Sequence, residues 1–289
     1  MTSTKGLYRE IASALATAGV DPADLTARWI LEDFAGIKAA DLLTAPDAPI
    51  FDAAADTCRA ALARHLAGEP LSRITGVREF YGLPFALNAA TLDPREDTET
   101  LVREVLDWVR ETGQDGKTLR ALDLGTGTGC IAIALLKHLP NLTAVAVDVA
   151  PDAVAQARVN ADKNGVADRF LPLCGNWADA LAPDARFDLI LSNPPYIPAG
   201  DIPNLSESVQ KYDPILALDG GEDGLDAYRV LMDVVKIQLD REGAAFWEIG
   251  KGQLPALRRL AQKSGVALSR ATLDSGGIPR VVRITKEED

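Results

Sequence analysis

The sequence predicts an α/β fold that follows a small helical domain and a β-hairpin. After Leu119, short apolar runs of strand length alternate with longer stretches of helical periodicity, which is typical of a parallel sheet covered by helices. In the first seventy or so residues, apolar side chains recur at helical spacing. Between this part and the α/β part, a turn containing Gly82 separates two apolar segments. The length suits two domains. We therefore expect a helical domain over 1–75, a hairpin linker over 76–98 and the α/β domain over 99–289.

The helical domain is predicted from apolar residues that recur every four positions, beginning at Leu7. Asp21 is expected to cap a second helix, because Pro22 is suited to the first helical position that follows. Asp52 is expected to cap a third helix.

The α/β domain is justified element by element from its apolar runs. Its strands are expected at 119–124, 143–148, 170–173, 187–192 and 244–249. Its helices are expected at about 130–139, 151–164, 225–239 and 253–263. The last two apolar runs, 267–273 and 280–284, have no helix between them and predict a terminal antiparallel hairpin.

Composition excludes several classes of function. Lys and Arg number 30 against 42 Asp and Glu, a net charge of −12 that has the wrong sign for a general nucleic-acid binder. No apolar run approaches the roughly 18 residues of a membrane span, so we expect a cytoplasmic protein. The three cysteines lie far apart, and there are only two histidines, so a disulfide framework, a metal site and a Ser/His/Asp triad are all disfavoured.

A glycine-rich turn closes the first predicted strand. Gly125, Thr126, Gly127, Thr128 and Gly129 have glycines at the first, third and fifth positions, which fits neither the dinucleotide fingerprint nor a phosphate-binding P-loop. Asp148 ends the next strand nineteen residues later, where a carboxylate can accept hydrogen bonds from both ribose hydroxyls. The pair indicates an adenosine-type ligand.

This pattern resembles the S-adenosylmethionine site of the seven-stranded, Rossmann-like methyltransferases, and the resemblance implies that cofactor. Asp123 is then expected near the methionine amino group, with simple capping of the turn as the alternative. Trp177 is expected against the adenine, with a core position as the alternative. Asn176 is expected at the polar edge of the adenine, where many relatives have Asp.

The segment Asn193-Pro194-Pro195-Tyr196 follows the predicted strand 187–192 and indicates the acceptor. The side-chain oxygen of Asn193 and the carbonyl of Pro194 can accept the two hydrogens of a planar NH2 group, while Tyr196 stacks on it. We expect no strong base nearby, so methyl transfer should precede proton loss. The motif does not distinguish an adenine amino group from a glutamine amide.

The whole chain resembles the release factor glutamine methyltransferases. The resemblance is carried by the glycine loop and the acceptor motif together with the segments 69–76, 78–82, 94–99, 217–225 and 248–250. It implies that 193–196 hold the glutamine of the Gly-Gly-Gln loop in peptide chain release factors, and that the cofactor is contacted by Gly125, Thr126, Gly127, Thr128, Gly129, Asp148, Trp177 and Asn193. We expect the helical domain to recognise the release factor, with no direct nucleic-acid or membrane partner.

Two other classes of function are compatible with the sequence. One is an adenine-N6 methyltransferase acting on RNA or DNA, which the net negative charge disfavours. The other is a catalytically silent cofactor-binding module, which the intact acceptor motif disfavours.

Overall fold

The computed structural model describes residues 2–286, which divide into two compact units between Thr75 and Gly76. No helix in this described part of the chain is long and apolar enough to cross a membrane.

The first unit is helical. Its helices are α1 (Thr4–Thr17), α2 (Ala23–Ala35), α3 (Asp41–Thr44), α4 (Asp52–Leu66) and α5 (Leu71–Thr75). Leu7, Ile11 and Leu15 of α1 are fully buried and pack with apolar residues of α2 and α4, because a four-residue spacing places them on one helix face.

The expected caps of this unit are wrong. Pro22, with extended backbone, is itself the cap of α2, and no side chain makes a capping hydrogen bond there. Pro22 instead accepts at its carbonyl from the hydroxyl of Thr26 at 3.0 Å. Likewise Phe51 precedes α4, so Asp52 is its first helical residue and not its cap.

The second unit begins with a hairpin of β1 (Val77–Phe80) and β2 (Leu83–Ala86). Its two turn residues, Tyr81 and Gly82, have φ of 53° and 72°, the left-handed pair of a type I′ turn. Asn160 joins the hairpin to the rest of this unit: Oδ1 accepts from the Ala86 N–H at 2.8 Å and Nδ2 donates to the Thr128 carbonyl at 2.9 Å. The hairpin is therefore hydrogen-bonded to the glycine-rich turn through one side chain.

The remaining elements build a seven-stranded sheet, as expected. Its strands are β3 (Leu119–Leu124), β4 (Leu142–Asp148), β5 (Phe170–Cys174), β6 (Phe187–Ser192), β7 (Leu239–Glu248), β8 (Val266–Leu273) and β9 (Pro279–Lys286). Its helices are α6 (Glu99–Glu111), α7 (Cys130–His138), α8 (Pro151–Lys163), α9 (Glu207–Tyr212), α10 (Asp226–Gln238) and α11 (Leu254–Ser264). The strand order is β5-β4-β3-β6-β7-β9-β8, with β3 to β7 parallel and the terminal hairpin antiparallel.

Helices cover both faces of the sheet. Side chains of α6, α7 and α8 share one buried cluster with the hairpin residues Phe80 and Phe85, whereas α10 and α11 share another with Trp247. Successive residues of a strand point to opposite faces, which is why Ala121 belongs to the first cluster and Leu122 to the second.

The topology determines where a ligand can bind. Strand order runs one way from β3 to β5 and the other way from β6 to β7, so the loops after β3 and β6 diverge at the centre of the sheet. Open α/β sheets bind ligands at this switch point, beyond the carboxyl ends of the strands. Ser192, the last residue of β6, fastens the two strand ends by donating its hydroxyl proton to the Leu124 carbonyl at 2.7 Å.

Candidate active site

A cavity of about 370 Å³ opens at the switch point, within the usual size range of small-molecule sites. Its wall includes Gly125, Thr126, Gly127, Thr128, Asp148, Asn176, Trp177 and Asn193, together with Ala90, Leu92, Pro94, Arg95, Thr98, Pro214, Leu216 and Ala217. The structure thus brings together most of the site residues expected from the sequence. Gly129, Asp123, Pro194, Pro195 and Tyr196 lie outside this wall.

The three glycines of the turn have left-handed backbone, with φ of 70°, 55° and 81° at Gly125, Gly127 and Gly129. A Cβ at Gly125 or Gly127 would meet no atom within 4 Å, so these two leave open space for a ligand. A Cβ at Gly129 would lie 2.8 Å from the Ile133 side chain. The left-handed backbone at Gly129 and this close approach to α7 both favour glycine there.

Asp148 is oriented by the backbone. Oδ2 accepts from the Gly127 N–H at 2.8 Å, and Oδ1 accepts from the Ala150 N–H at 2.9 Å. Burial raises the pKa of this carboxyl, while the backbone hydrogen bonds oppose the shift. Each carboxylate oxygen keeps a second lone pair, so both can accept a hydroxyl proton from a ligand in the cavity.

Asp123 is completely buried behind the turn. Its Oδ2 accepts from the Thr126 hydroxyl at 2.6 Å, but its Oδ1 has no hydrogen-bond partner among the described residues. Burial raises the pKa of Asp123 to about 7. An unpaired buried carboxylate oxygen is unfavourable unless a donor or a cation satisfies it.

Trp177 lines the cavity in a strained conformation. Its φ of 51° lies in the left-handed region, which costs a bulky residue roughly 1–3 kcal/mol and concentrates at functional sites. Its neighbour Asn176 has its Nδ2 directed toward Asp179 Oδ2 at 3.4 Å. This contact leaves Oδ1 of Asn176 to accept from a ligand amino group.

Asn193 is held by a chain of hydrogen bonds. Its Nδ2 donates to Thr98 Oγ1 at 3.1 Å, and that hydroxyl donates to Glu248 Oε2 at 2.5 Å. The same carboxylate accepts at Oε1 from the Tyr196 hydroxyl at 3.3 Å. Within residues 2–286, Oδ1 of Asn193 has no hydrogen-bond partner, so the acceptor oxygen remains available at the cavity wall.

The hydrogen bonds of Asn193 lead to a buried carboxylate that the sequence analysis did not single out. Glu248 is fully buried, and burial raises its pKa to about 7 against the opposing effects of Thr98, Arg280 and Tyr196. Sequence reasoning also missed Thr98. Both residues lie in segments that carry the family resemblance, 94–99 and 248–250, which was the available signal.

An ion pair borders the cavity. Arg95 Nη2 lies 2.6 Å from Asp213 Oδ2, and the Asp213 side chain is almost fully buried. Arg95 and the neighbouring Pro214 both line the cavity. The segment after β6 is thereby fastened to the segment before α6. Among the described residues no group of His, Cys, Asp and Glu is arranged to hold a metal ion.

The sheet order, the glycine turn with its strand-end carboxylate and the acceptor motif together define an S-adenosylmethionine-dependent methyltransferase of the seven-stranded class. Solved structures agree on the fold. The hMettl16 catalytic domain in complex with the MAT2A 3′UTR hairpin 6 superposes with a TM-score of 0.56 at 19% identity, over 79% of this chain and 83% of the other. The ribosomal protein L11 methylase from Lactobacillus delbrueckii subsp. bulgaricus gives a TM-score of 0.50 at 18% identity, over 67% and 81%.

Sequence comparisons specify the family. Residues 6–76 match the model of the PrmC N-terminal domain, and residues 104–207 match the methyltransferase small domain. The release factor glutamine methyltransferase of Bradyrhizobium diazoefficiens is 40% identical over 285 residues, which cover 98% of this chain and 95% of the relative. That of Rhodospirillum rubrum is 41% identical over 266 residues, covering 92% and 80%. The chain belongs to the release factor glutamine methyltransferase family, as the sequence analysis indicated.

Proposed function

We propose that this chain transfers a methyl group from S-adenosylmethionine to the side-chain amide nitrogen of the glutamine in the Gly-Gly-Gln loop of peptide chain release factors. The observation that carries the proposal is the free Oδ1 of Asn193, at the wall of the cavity that Asp148 and the glycine turn also line. Membership of the family supports the choice of acceptor.

The residues present suit this cofactor. Asp148 would accept from the two ribose hydroxyls, and the unpartnered Oδ1 of Asp123 would pair with the methionine ammonium group. Trp177 would lie against the adenine, with Asn176 Oδ1 accepting from its amino group. The open space over Gly125 and Gly127 allows the ligand to approach the backbone. When bound, the sulfonium supplies an electrophilic methyl group.

The chain's contribution to chemistry is orientation of the amide. An amide nitrogen is a poor nucleophile because its lone pair is delocalised into the carbonyl. Asn193 Oδ1 and the Pro194 carbonyl would accept its two hydrogens, hold the nitrogen in line with the methyl and favour positive charge on that nitrogen. Tyr196 would cover the planar group and exclude water.

The reaction balances without a metal or a redox step. The nitrogen forms a bond to the methyl carbon, the bond from that carbon to sulfur breaks, and its electron pair stays on sulfur. The methylated amide is strongly acidic at nitrogen and then releases one of its two protons to solvent water, which restores the conjugated neutral amide. Asn193 Oδ1 faces one of these hydrogens and so would stabilise the cationic state before the proton leaves.

The first unit is proposed to recognise the release factor. It exposes large apolar side chains, of which Leu43 and Phe51 are 85% and 86% accessible and Trp29 is half-exposed. Apolar and aromatic side chains of this kind are typical anchors of protein interfaces.

The test is transfer of labelled methyl from S-adenosylmethionine to three acceptors: purified release factor, the same factor with its loop glutamine replaced by alanine, and nucleic acid. We expect label on the first acceptor alone. Label on the alanine variant would contradict the assigned glutamine, and label on nucleic acid alone would favour the adenine methyltransferase.

A further inference from the structure

The hydroxyl proton of Thr98 determines the direction of the hydrogen bonds around Asn193. Thr98 has one hydroxyl proton, and its oxygen lies 2.5 Å from Glu248 Oε2 and 3.1 Å from Asn193 Nδ2. The shorter distance is typical of a hydroxyl that donates to an ionised carboxylate. An ionised carboxylate can only accept, so the Thr98 proton is committed to Glu248 and the Thr98 oxygen can only accept from Asn193.

We propose that Glu248 is a positioning residue that acts through Thr98 to keep the amide oxygen of Asn193 directed toward the acceptor nitrogen. The inference rests on the proposed function, in which that oxygen binds the substrate NH2 group. Glu248 and Thr98 are 150 residues apart in sequence and both are buried. Glu248 itself does not line the cavity, so its effect on the substrate passes through Thr98 and Asn193.

Protonation of Glu248 would reverse the direction of the chain. A protonated carboxyl donates to Thr98 Oγ1, and the Thr98 proton then turns toward Asn193. The amide satisfies that donor by rotating its oxygen toward Thr98, which directs its NH2 group into the cavity. The NH2 group of Asn193 cannot hydrogen-bond with the NH2 group of the acceptor glutamine. The protonated enzyme should therefore not bind the glutamine in a productive orientation.

Charged and titratable groups on several elements surround Glu248. Tyr196 donates to its Oε1, and the hydroxyl of Tyr228 on α10 donates to its main-chain carbonyl at 2.8 Å. Arg280 on β9 favours the ionised form, and Asp97 before α6 opposes it. The thiol of Cys130 on α7 also senses the charge of Glu248.

Burial outweighs these contacts and raises the pKa of Glu248 to about 7. The ionised form is active, so the rate should fall as the pH drops through this pKa, and a cation bound in the cavity should move the midpoint lower.

Four variants test the direction of the chain. Glu248→Gln keeps an oxygen that accepts from Thr98 and an NH2 group that donates to Tyr196, but it cannot ionise. Glu248→Leu removes the acceptor, so Thr98 can donate only to Asn193. Thr98→Ser keeps the hydroxyl, and Thr98→Val removes it while keeping the volume.

Glu104→Gln is the matched control. Glu104 is also buried and also accepts from a threonine hydroxyl, that of Thr272 at 2.7 Å, and it accepts from Arg283 as well. It lines no part of the cavity, so its variant should keep the wild-type pH profile.

The measurement is the single-turnover rate of methyl transfer to release factor across pH at saturating cofactor. We expect the rate of the wild type and of Glu104→Gln to fall at acidic pH. This acid limb of the pH profile should be missing in Glu248→Gln. The rate of Glu248→Leu should be lower by about 100-fold at every pH, comparable to losing one preorganised polar contact. The rate of Thr98→Ser should be higher than that of Thr98→Val. An unchanged acid limb in Glu248→Gln, or wild-type rates in both Glu248→Leu and Thr98→Val, would overturn the inference.

A second readout does not depend on methyl transfer. In protein labelled with 15N at asparagine, the side-chain amide protons of Asn193 are identified by their loss in Asn193→Ala. A nuclear Overhauser contact to Thr98 should be present at about pH 8 and absent at about pH 5.5, on either side of the Glu248 titration. If the wild type methylates no release factor but this contact behaves as expected, the proposed function fails and the positioning role stands. A contact that is the same at both pH values overturns the positioning role.

Discussion

Glu248→Gln should change how the stability of the second unit depends on pH. The Glu248 carboxyl is completely buried, and its pKa is raised to about 7 from 4.5. Between pH 4.5 and about pH 7, the folded protein therefore binds more protons than the unfolded chain. The wild-type free energy of unfolding therefore falls as pH rises from about 4.5 to 7 and loses no more above it. At about 1.4 kcal/mol per pKa unit, a shift of roughly 2.5 units corresponds to about 3 kcal/mol.

The Gln variant lacks this contribution, so the comparison isolates it. Urea unfolding at about pH 5 and pH 8, followed by tryptophan fluorescence, reports mainly on the second unit, which contains Trp108, Trp177 and Trp247. The advantage of the wild type over Glu248→Gln should be larger at the lower pH by a few kcal/mol. The variant Glu104→Gln measures the effect of losing a buried carboxylate elsewhere. An equal difference between wild type and Glu248→Gln at both pH values would show that folding does not raise the pKa of Glu248.

Three further predictions concern the cofactor site, the glycine turn and the first unit. Asp148→Ala removes a charged acceptor worth about 1.5–3 kcal/mol, so calorimetry should show cofactor binding weakened by roughly 10- to 150-fold; unchanged affinity would remove Asp148 from the site. Gly129→Ala introduces a Cβ at a φ of 81° and 2.8 Å from Ile133, so the free energy of unfolding should fall by about 1–3 kcal/mol, and an unchanged urea midpoint would contradict this. Phe51→Ser should raise KM for release factor by about 5-fold or more, as loss of an interface anchor does, with the cofactor Kd unaltered; an unchanged KM would speak against recognition by this surface.

Much of the fold was predictable because the sheet is buried on both faces. The central strands Leu119–Leu124 and Phe187–Ser192 are mostly apolar, each with two polar residues, and their bounds agree with those expected. The strand β7 was harder. It begins at Leu239, five residues before the expected position, because Asp240, Arg241 and Glu242 at its start are polar and resemble a loop.

Some features of the site were predictable from the sequence and others were not. The glycine turn and the acceptor motif are local segments, each recognisable from neighbouring residues. The contact between Thr98 and Glu248 joins residues 150 positions apart, and only the folded sheet brings them together. A lone threonine and a lone glutamate carry no signal of their own in the sequence, so the orientation of Asn193 required the structure.

The side-chain oxygen of Asn193 is the central acceptor in the proposed methyl transfer. Asn193→Ala removes it and leaves the glycine turn and Asp148 unchanged in sequence. The decisive measurement is the single-turnover rate of methyl transfer to release factor by wild type and Asn193→Ala, at saturating cofactor and acceptor and at about pH 8, where Glu248 is ionised. A rate lower by about 100-fold or more in the variant is the predicted result. Equal rates in the two proteins would contradict the claim that Asn193 holds the glutamine amide.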